Sequence, residues 1–464
     1  MDGAIEPIIA RGERFAIEGF GFDASPGKLR FPRIGGGTVD VTVADSDWTI
    51  FTIATTVPDS AATGRTTITV VTAAGTALSA VIHVLPRPTF DPSALTWIAR
   101  TPYPGAPAGV AIAAAEFPDA AGALRATLYT AGGAEPLAGP SGIKMTPDSG
   151  VYVAHTIAAG MGSIGNWARQ RDVPDATRAR ILPAPRAFAA VAVATRYNSR
   201  FDGNALYVIG GIDATGRVQP SVFSASVTPD SVNGSFTLVE PLPTPVAGAI
   251  AVVRRGRLYV IGGTDTTGHP QRTVFVGRIG PDGHIDGWYA APLLPGARAY
   301  GGGVVRDGRA IAIGGVADSV PAGGGIDFGT PRLVTGDTAP VSLVSGFFIG
   351  AWGPGPTLFP EGRSQFALLD LGNVALAVGG MYASAPTNSA ETLAATVSGD
   401  SVGVFGGPVG TNRIADQTCL TQPAGTLVGP AGVVWRDGDG TPHGLVVGGL
   451  DLNTQTRRGC AWGF

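Results

Sequence analysis

Three arginines in this chain could bind an anionic ligand, because each lies three residues after a proline in otherwise similar stretches. They are Arg186, Arg298 and Arg363, and the corresponding positions elsewhere are Pro107, Val246 and Thr426. Guanidinium groups bind carboxylates and phosphates through paired hydrogen bonds. If these stretches begin equivalent strands, the arginines ring one mouth of the fold and suit a carboxylate, a phosphate or an acidic peptide. The alternative is that they bond to backbone carbonyls, and the sequence leaves both open.

Three short motifs resemble known catalytic or binding loops, but their contexts favour turns. Gly160–Gly165 matches the dinucleotide fingerprint without a helix to receive the pyrophosphate. Gly399–Gly403 matches the nucleophile elbow, yet Gly, Pro and Val follow it instead of a helix. Asp437–Gly440 resembles the start of a calcium loop but has no downstream glutamate. We therefore predict ordinary turns at all three places and expect no cofactor.

Metal and disulfide chemistry have few candidate residues. The chain has five histidines and two cysteines, with no metal-ligand spacing among them. Cys419 and Cys460 could form a disulfide, and two buried free thiols are an equal alternative. We expect no metal site.

The composition indicates an all-β protein. Of 464 residues, 70 are glycine and 37 are proline, more than helices tolerate. Hydrophobic residues make up 44% and occur in short runs, which excludes a disordered chain. The net charge of −3 and the lack of a basic block argue against a nucleic-acid groove.

No targeting or membrane-spanning segment is predicted. Residues 1–7 lack the basic start and apolar stretch of a signal peptide. Residues 338–360 are uncharged but contain four prolines and several glycines, so we do not expect a lipid-facing helix there.

A glycine doublet closes an apolar stretch six times. The doublets end at Gly133, Gly211, Gly263, Gly315, Gly380 and Gly449, and two of the intervals are both 52 residues. This pattern resembles kelch repeats, whose period is near 50. The resemblance implies a six-bladed kelch β-propeller over residues 89–464. We predict that residues 95–100 complete the sixth blade beside the strand containing Cys460.

Residues 1–88 contain short β-rich runs at a different spacing, and this pattern predicts a small β-sandwich. The stretch Ile17–Phe22, the Val57-Pro58 pair and the run Thr67–Thr72 resemble the IPT/TIG immunoglobulin-like family. That resemblance implies a spacer or docking module.

The loops after the doublets should share one face with the arginines. Their candidate ligand-binding residues are Asp213, Arg217, Asp265, His269, Arg272, Asp318 and Tyr382.

No nucleophile–base pair, carboxylate pair or metal set is evident, so we expect a non-enzymatic binding or structural protein. Low charge and the N-terminus favour a phage virion component of tail or fibre type, or an adhesin, within a larger assembly. Its partners would be virion or cell-surface proteins or glycans. It would lie on the virion or extracellular surface, with the cytoplasm as the alternative location. Rival functions are a sugar oxidase, a sugar-acid mutarotase or an intracellular protein-interaction scaffold.

Overall fold

The computed structural model describes most of the chain and shows an all-β protein. The residues outside the description are 1–7, 20, 119–123, 140–141, 158–161, 171–180, 196–202, 255, 281, 307–308, 318–335, 341–349, 356–357, 360–361, 383–389, 399–400, 411–413, 415–417, 420–421, 424–426, 452–455 and 458. The described helical segments are short 3-10 turns such as η1 (Asp45–Asp47) and η2 (Pro92–Ala94). None of them has the length and apolar character needed to traverse a bilayer.

The first part of the chain forms two sheets around one apolar cluster. Its strands are β1 (Ile8–Ala10), β2 (Arg14–Glu18), β3 (Lys28–Pro32), β4 (Thr38–Thr42), β5 (Thr52–Thr56), β6 (Gly64–Val71) and β7 (Ala77–Leu85). The next strand along the chain, β8 (Ile98–Ala99), belongs to a later sheet. One sheet has the order β1-β7-β6-β3-β4 and the other pairs β2 with β5. Alternating apolar residues, including Phe15, Phe31, Ile53 and Ile68, point between the two sheets and form their core.

The remaining described strands form six four-stranded sheets and three two-stranded ribbons. Up to residue 290 they are β9 (Ala111–Pro118), β10 (Leu124–Ala131), β11 (Ala134–Gly139), β12 (Gly142–Pro147), β13 (Val151–His155), β14 (Ala168–Arg169), β15 (Ala190–Ala194), β16 (Ala205–Ile209), β17 (Val222–Val227), β18 (Val232–Val239), β19 (Ile250–Arg254), β20 (Arg257–Ile261), β21 (Val274–Ile279) and β22 (Ile285–Ala290). After it they are β23 (Gly302–Arg306), β24 (Arg309–Ile313), β25 (Gly336–Pro340), β26 (Gly353–Pro354), β27 (Ala367–Asp370), β28 (Val374–Val378), β29 (Thr392–Ser398), β30 (Ser401–Val402), β31 (Thr418–Cys419), β32 (Gln422–Pro423), β33 (Ala431–Arg436), β34 (Pro442–Val447), β35 (Leu450–Asp451), β36 (Thr456–Arg457) and β37 (Ala461–Gly463).

We number the four-stranded sheets 1 to 6 in chain order. They are β9-β10-β13-β14, β15-β16-β17-β18, β19-β20-β21-β22, β23-β24-β25-β26, β27-β28-β29-β30 and β33-β34-β37-β8. The first strands of successive sheets contact one another, and the first strand of sheet 6 contacts that of sheet 1. The sheets therefore surround a common axis, with their first strands innermost.

Sheet 6 takes its outermost strand from the early part of the chain. Ala99 of β8 lies opposite Trp462 of β37, and Ile98 lies opposite Gly463. The indoles of Trp97 and Trp462 are fully buried in the cluster between sheets 5 and 6. This pairing places β8, which precedes the other strands of sheets 1 to 6 in the chain, in the same sheet as β37, the last strand.

Each neighbouring pair of sheets encloses its own apolar cluster. For example, Leu128 of sheet 1 packs in one cluster with Trp435 and Leu445 of sheet 6. The other five interfaces have equivalent clusters. A four-stranded sheet has two faces to cover, and this arrangement covers each with a neighbour.

The glycine doublets join neighbouring sheets by backbone hydrogen bonds. In every doublet the second N–H donates to a carbonyl at the start of the next sheet, at 2.7–2.9 Å. The acceptors, in chain order of the doublets, are Arg186, Val246, Arg298, Arg363, Leu427 and Pro107. Since the doublet of sheet 6 bonds to Pro107 of sheet 1, the described residues contain a closed ring of six such bonds.

The N-terminal sheets contact sheets 1, 5 and 6. The Arg436 guanidinium of β33 contacts Glu13 at 3.2 Å and Glu116 at 3.4 Å. Burial works against the charged form of Arg436, but the two carboxylates outweigh it and raise the pKa of this group. Asn373 exchanges two hydrogen bonds with the backbone of Phe90, at 2.8 and 2.9 Å. These polar contacts attach the N-terminal sheets and the connector after them (residues 86–91) to the later sheets.

Gly262 shows why a doublet must be glycine, and it yields a prediction. Its φ is +64°, and an added Cβ would lie 2.4 Å from the Arg298 carbonyl oxygen. Gly234 also has a positive φ, of +93°, but nothing lies within 4 Å of its Cβ position. We expect Gly262→Ala to lower the free energy of unfolding by about 3 kcal/mol, and Gly234→Ala by only about 1 kcal/mol. Urea denaturation measures both, and equal losses would contradict the steric explanation.

Candidate functional site

The candidate site lies at the end of the six sheets where the first strands begin and the second strands end. We call this end the axial face. The residues whose carbonyls accept the doublet bonds define equivalent positions in the six sheets. In sheet 6 this position is Leu427 rather than the predicted Thr426, which lies outside the described residues. The alignment by proline spacing was therefore wrong by one residue in that sheet.

Arg186, Arg298 and Arg363 do not line an open mouth. Their exposed fractions are 4%, 1% and 0%. The guanidinium of Arg298 donates to the carbonyls of Ala312 and Gly314, at 3.2 and 3.0 Å. That of Arg186 donates to Pro185 O at 2.8 Å and to Ser221 Oγ at 2.6 Å. Of the two environments that the sequence left open, the structure shows bonds to backbone carbonyls for Arg298 and, together with Ser221, for Arg186, and no ring of solvent-facing guanidinium groups forms from the three arginines.

Arg363 has a different environment from the other two arginines. Its guanidinium lies 4.4 Å from the ring centre of Tyr382, whose hydroxyl donates to Glu391 at 3.1 Å. Within the described part of the chain, the three guanidinium nitrogens have no hydrogen-bond partner. Desolvation lowers the pKa of Arg363, partly offset by Tyr382 and Glu391. A group this enclosed is reached by a macromolecule only after rearrangement.

Sequence reasoning missed the residues that do line the axis. Two positions after the doublet acceptor, all six sheets have a residue with φ between 54° and 65°. These residues are Gly109, Phe188, Gly248, Tyr300, Gln365 and Gly429. Five backbone hydrogen bonds of 2.7–2.9 Å connect them in this order. The sequence did carry a signal for this position. In the three sheets whose doublet acceptor is arginine, the residue two positions later is phenylalanine, tyrosine or glutamine, and in the other three sheets it is glycine.

Phe188 and Tyr300 fill the centre of the axial face. The centres of their aromatic rings lie 5.7 Å apart in an edge-to-face arrangement. Phe188 covers Gly109, and Tyr300 covers Gly248. They pack with Ile212, Val316 and Leu450, which follow three of the doublets. A cavity of about 160 Å³ remains beside Phe188, Tyr300 and Gln365. The centre is therefore an apolar plug with a small pocket.

Two loops beside the plug have the same internal structure. In the second, Asp265 accepts hydrogen bonds from the N–H and hydroxyl of Thr267, the N–H of His269 and the amide of Gln271, at 2.6–3.1 Å. Asp213 organises the loop 52 residues earlier in the same way. Desolvation opposes ionisation of Asp265, but the bonds from Thr267 and His269 outweigh it and lower the pKa of this carboxyl. Asp213 and Asp265, two of the three predicted site carboxylates, are thus engaged in building their loops.

The basic side chains of these loops stay at the surface. Arg217, His269 and Arg272 are all exposed. The Nε of Arg272 donates to the carbonyl of Leu294 at 2.5 Å, which fixes the base of its guanidinium. Asp318 lies outside the described residues. Three of the predicted site residues are therefore exposed on the loops of two neighbouring sheets, and we call this set the loop patch (Arg217, His269, Arg272).

The remaining motifs have structural roles or lie partly outside the description. Residues 160 and 161 of the GxGxxG stretch are not described, and Ile164 within it forms a bridge with Thr156. Asp437 accepts two backbone N–H bonds within its own turn and contacts His443 Nε2 at 3.1 Å. No cluster of three potential metal ligands occurs among the described residues.

Cys460 is buried and disulfide-bonded. The side chain of Cys419, the other cysteine of the chain, is outside the description, so the pairing of these two stays a prediction.

Comparison with known proteins gives one partial similarity. No protein-family model matches the chain. Beta-scruin of Limulus polyphemus, a kelch-repeat protein, is 35% identical over 118 residues. The matched segment is 25% of this chain and spans only 12% of the length of beta-scruin. The similarity supports kelch-type repeats and suggests a β-propeller.

The lowered pKa of Asp265 predicts how stability depends on pH. Because the pKa of Asp265 is depressed in the folded state, its carboxylate stabilises the fold fully at any pH above the unfolded-state pKa of about 3.9. This stabilisation is lost as the pH falls through the folded-state pKa. We expect Asp265→Asn to be less stable than the parent at pH 7 and to lose less further stability below about pH 4. Urea denaturation from pH 7 to pH 2.5 measures both effects. Asp439→Asn, at an exposed turn position, is the control. If Asp265→Asn loses as much stability at low pH as the parent does, the assignment to Asp265 is refuted.

Proposed function

We propose that this chain is a non-enzymatic protein-binding module: a six-bladed kelch β-propeller preceded by an immunoglobulin-like β-sandwich. The six sheets around one axis, the doublet at the end of each second strand and the similarity to beta-scruin support the propeller. The two sheets of residues 8–85 and their shared core support the sandwich. On this proposal, sheets 1 to 6 are the blades.

The loop patch is the observation that carries the binding role. Its two loops are fixed internally by Asp213 and Asp265, so presenting Arg217, His269 and Arg272 costs little ordering entropy. Asp213 and Asp265 stay ionised and offset part of the positive charge, but their carboxylate oxygens accept hydrogen bonds within the loops. A pre-organised basic surface suits an acidic segment of a partner protein, and its affinity should decrease with salt.

The burial of the arginines favours binding over the enzymatic alternatives. A sugar-acid mutarotase on this fold would need guanidinium groups open to a substrate carboxylate. Arg298 and Arg363 are at most 1% exposed, so neither offers one. The plug formed by Phe188 and Tyr300 leaves a cavity of about 160 Å³, which is small for a sugar substrate.

The sandwich would act as a spacer held at a fixed angle. Arg436 lies between Glu13 of the sandwich and Glu116 of the first blade, and Asn373 binds the connector at Phe90. Such a module presents its loops in a defined direction. A place in a phage virion or adhesin, outside the cell, stays a prediction from sequence composition, and mass spectrometry of purified particles would test it.

Charge reversal on the loop patch tests the proposed binding. We expect the double variant Arg217→Glu, Arg272→Glu to bind a fluorescein-labelled glutamate-rich peptide at least about tenfold more weakly than the parent in 50 mM salt. Arg33→Glu, an exposed site on the sandwich, is the matched control and should bind as the parent does. Fluorescence anisotropy gives the Kd values. No binding by the parent, or equal binding by the double variant, would overturn the proposal.

A further inference from the structure

A polar groove lies between sheets 2 and 3, away from the axial face. Its cavity volume is about 330 Å³. Sheet 2 supplies six short polar side chains to it, which we call the polar strip (Asn204, Ser224, Ser226, Asn233, Ser235, Thr237). The turn before β22 of sheet 3 overhangs the strip and contributes Asp282 and His284.

Strand geometry places the polar strip on one face of sheet 2. Residues two apart on a strand point to the same side, as Ser224 and Ser226 do on β17. On β18, Thr237 lies opposite Ser224, and Asn233 lies opposite Ser226. The register between the two strands shifts between Ser224 and Ser226, so the strip consists of two cross-strand polar pairs on either side of an irregularity.

The fold does not require these polar residues. In sheet 3, 52 residues later, the positions of Ser224 and Thr237 are taken by Val276 and Tyr289, which also lie opposite each other. Because sheet 3 forms the same four-stranded structure with these residues, the polarity of the strip needs another explanation.

The overhanging turn is anchored and its polar side chains are accessible. The hydroxyl of Tyr207 donates to the carbonyl of Gly283 at 2.5 Å, which holds the turn over sheet 2. His284 Nδ1 lies 3.0 Å from an Asp282 carboxylate oxygen. The side chains of His284 and Asp282 are 56% and 68% exposed, so a ligand entering from solvent meets them first.

Asn204 provides an acceptor at the floor of the groove. The residue is 8% exposed, and its Oδ1 has no hydrogen-bond partner among the described residues. A buried carbonyl oxygen left without a donor costs about 1–3 kcal/mol, so a ligand that supplies an O–H or N–H gains by binding there.

We propose that the polar strip and the Asp282–His284 pair form a second binding site, for a saccharide residue. Each sugar hydroxyl both donates and accepts, as do the serine, threonine and asparagine groups of the strip. The Asp282 carboxylate can accept from adjacent hydroxyls, and none of the lining residues is lysine or arginine, which disfavours an anionic ligand. This site is independent of the loop patch and of the proposed protein binding.

Residues borrowed from sheet 3 provide a test that preserves the fold. The double variant Ser224→Val, Thr237→Tyr installs the pair that sheet 3 already carries, and its melting temperature shows whether it is folded. A glycan array identifies the sugar that the parent binds, and saturation-transfer NMR with that free monosaccharide gives the affinity. We expect the double variant to bind at least tenfold more weakly, and the control Thr67→Tyr, at an exposed position on β6, to bind as the parent does.

Should the double variant fail to fold, Asn204→Leu replaces the side-chain amide with an apolar group of similar size, removes the acceptor and should also reduce binding at least tenfold. Absence of any array signal for the parent would overturn the proposal. So would unchanged binding by the folded strip variants, or loss of sugar binding in Arg217→Glu, Arg272→Glu, which would assign the sugar to the loop patch.

Discussion

The architecture depends on one repeated interaction, the hydrogen bond from the second glycine of a doublet to a carbonyl of the next sheet. Both doublet glycines have positive φ, and a Cβ on the first would collide with that same carbonyl, as at Gly132 and Gly262. Six such bonds fix where each second strand ends and where the following first strand begins. The apolar clusters between sheets then bury the faces that this spacing brings together.

The same interaction explains why the axial face is not a ring of cations. With the arginine carbonyls held against the doublets, two of the guanidinium groups reach nearby acceptors within the sheets, and all three are buried. The positive φ two residues later directs Phe188 and Tyr300 into the apolar plug instead. Guanidinium groups around a narrow axis would need anions to offset their desolvation, whereas the plug needs none. On the proposed function, binding falls to the loops around the plug.

The sequence was informative about the backbone and much less so about side chains. The all-β character is confirmed, and the six doublets do follow directly on second strands. Glycine and proline act through backbone geometry, which a sequence displays directly. Side-chain direction depends on local φ and on nearby acceptors, so the sequence left two environments open for Arg298, and the direction of Phe188 toward the axis was not predicted. The polar strip was also missed, because its residues alternate along two strands and become adjacent only through their pairing.

Hydrogen exchange at the doublet amides tests the closed ring most directly, especially at Gly449, whose bond to Pro107 joins sheet 6 to sheet 1. The ring predicts that the six second-glycine amides exchange at similar, slow rates, because opening any one requires separating two packed sheets. Two-dimensional NMR of the deuterium-exchanged protein measures these rates. A Gly449 amide that exchanges as fast as exposed loop amides, while Gly211 and Gly263 stay protected, would show that sheet 6 is not joined to sheet 1.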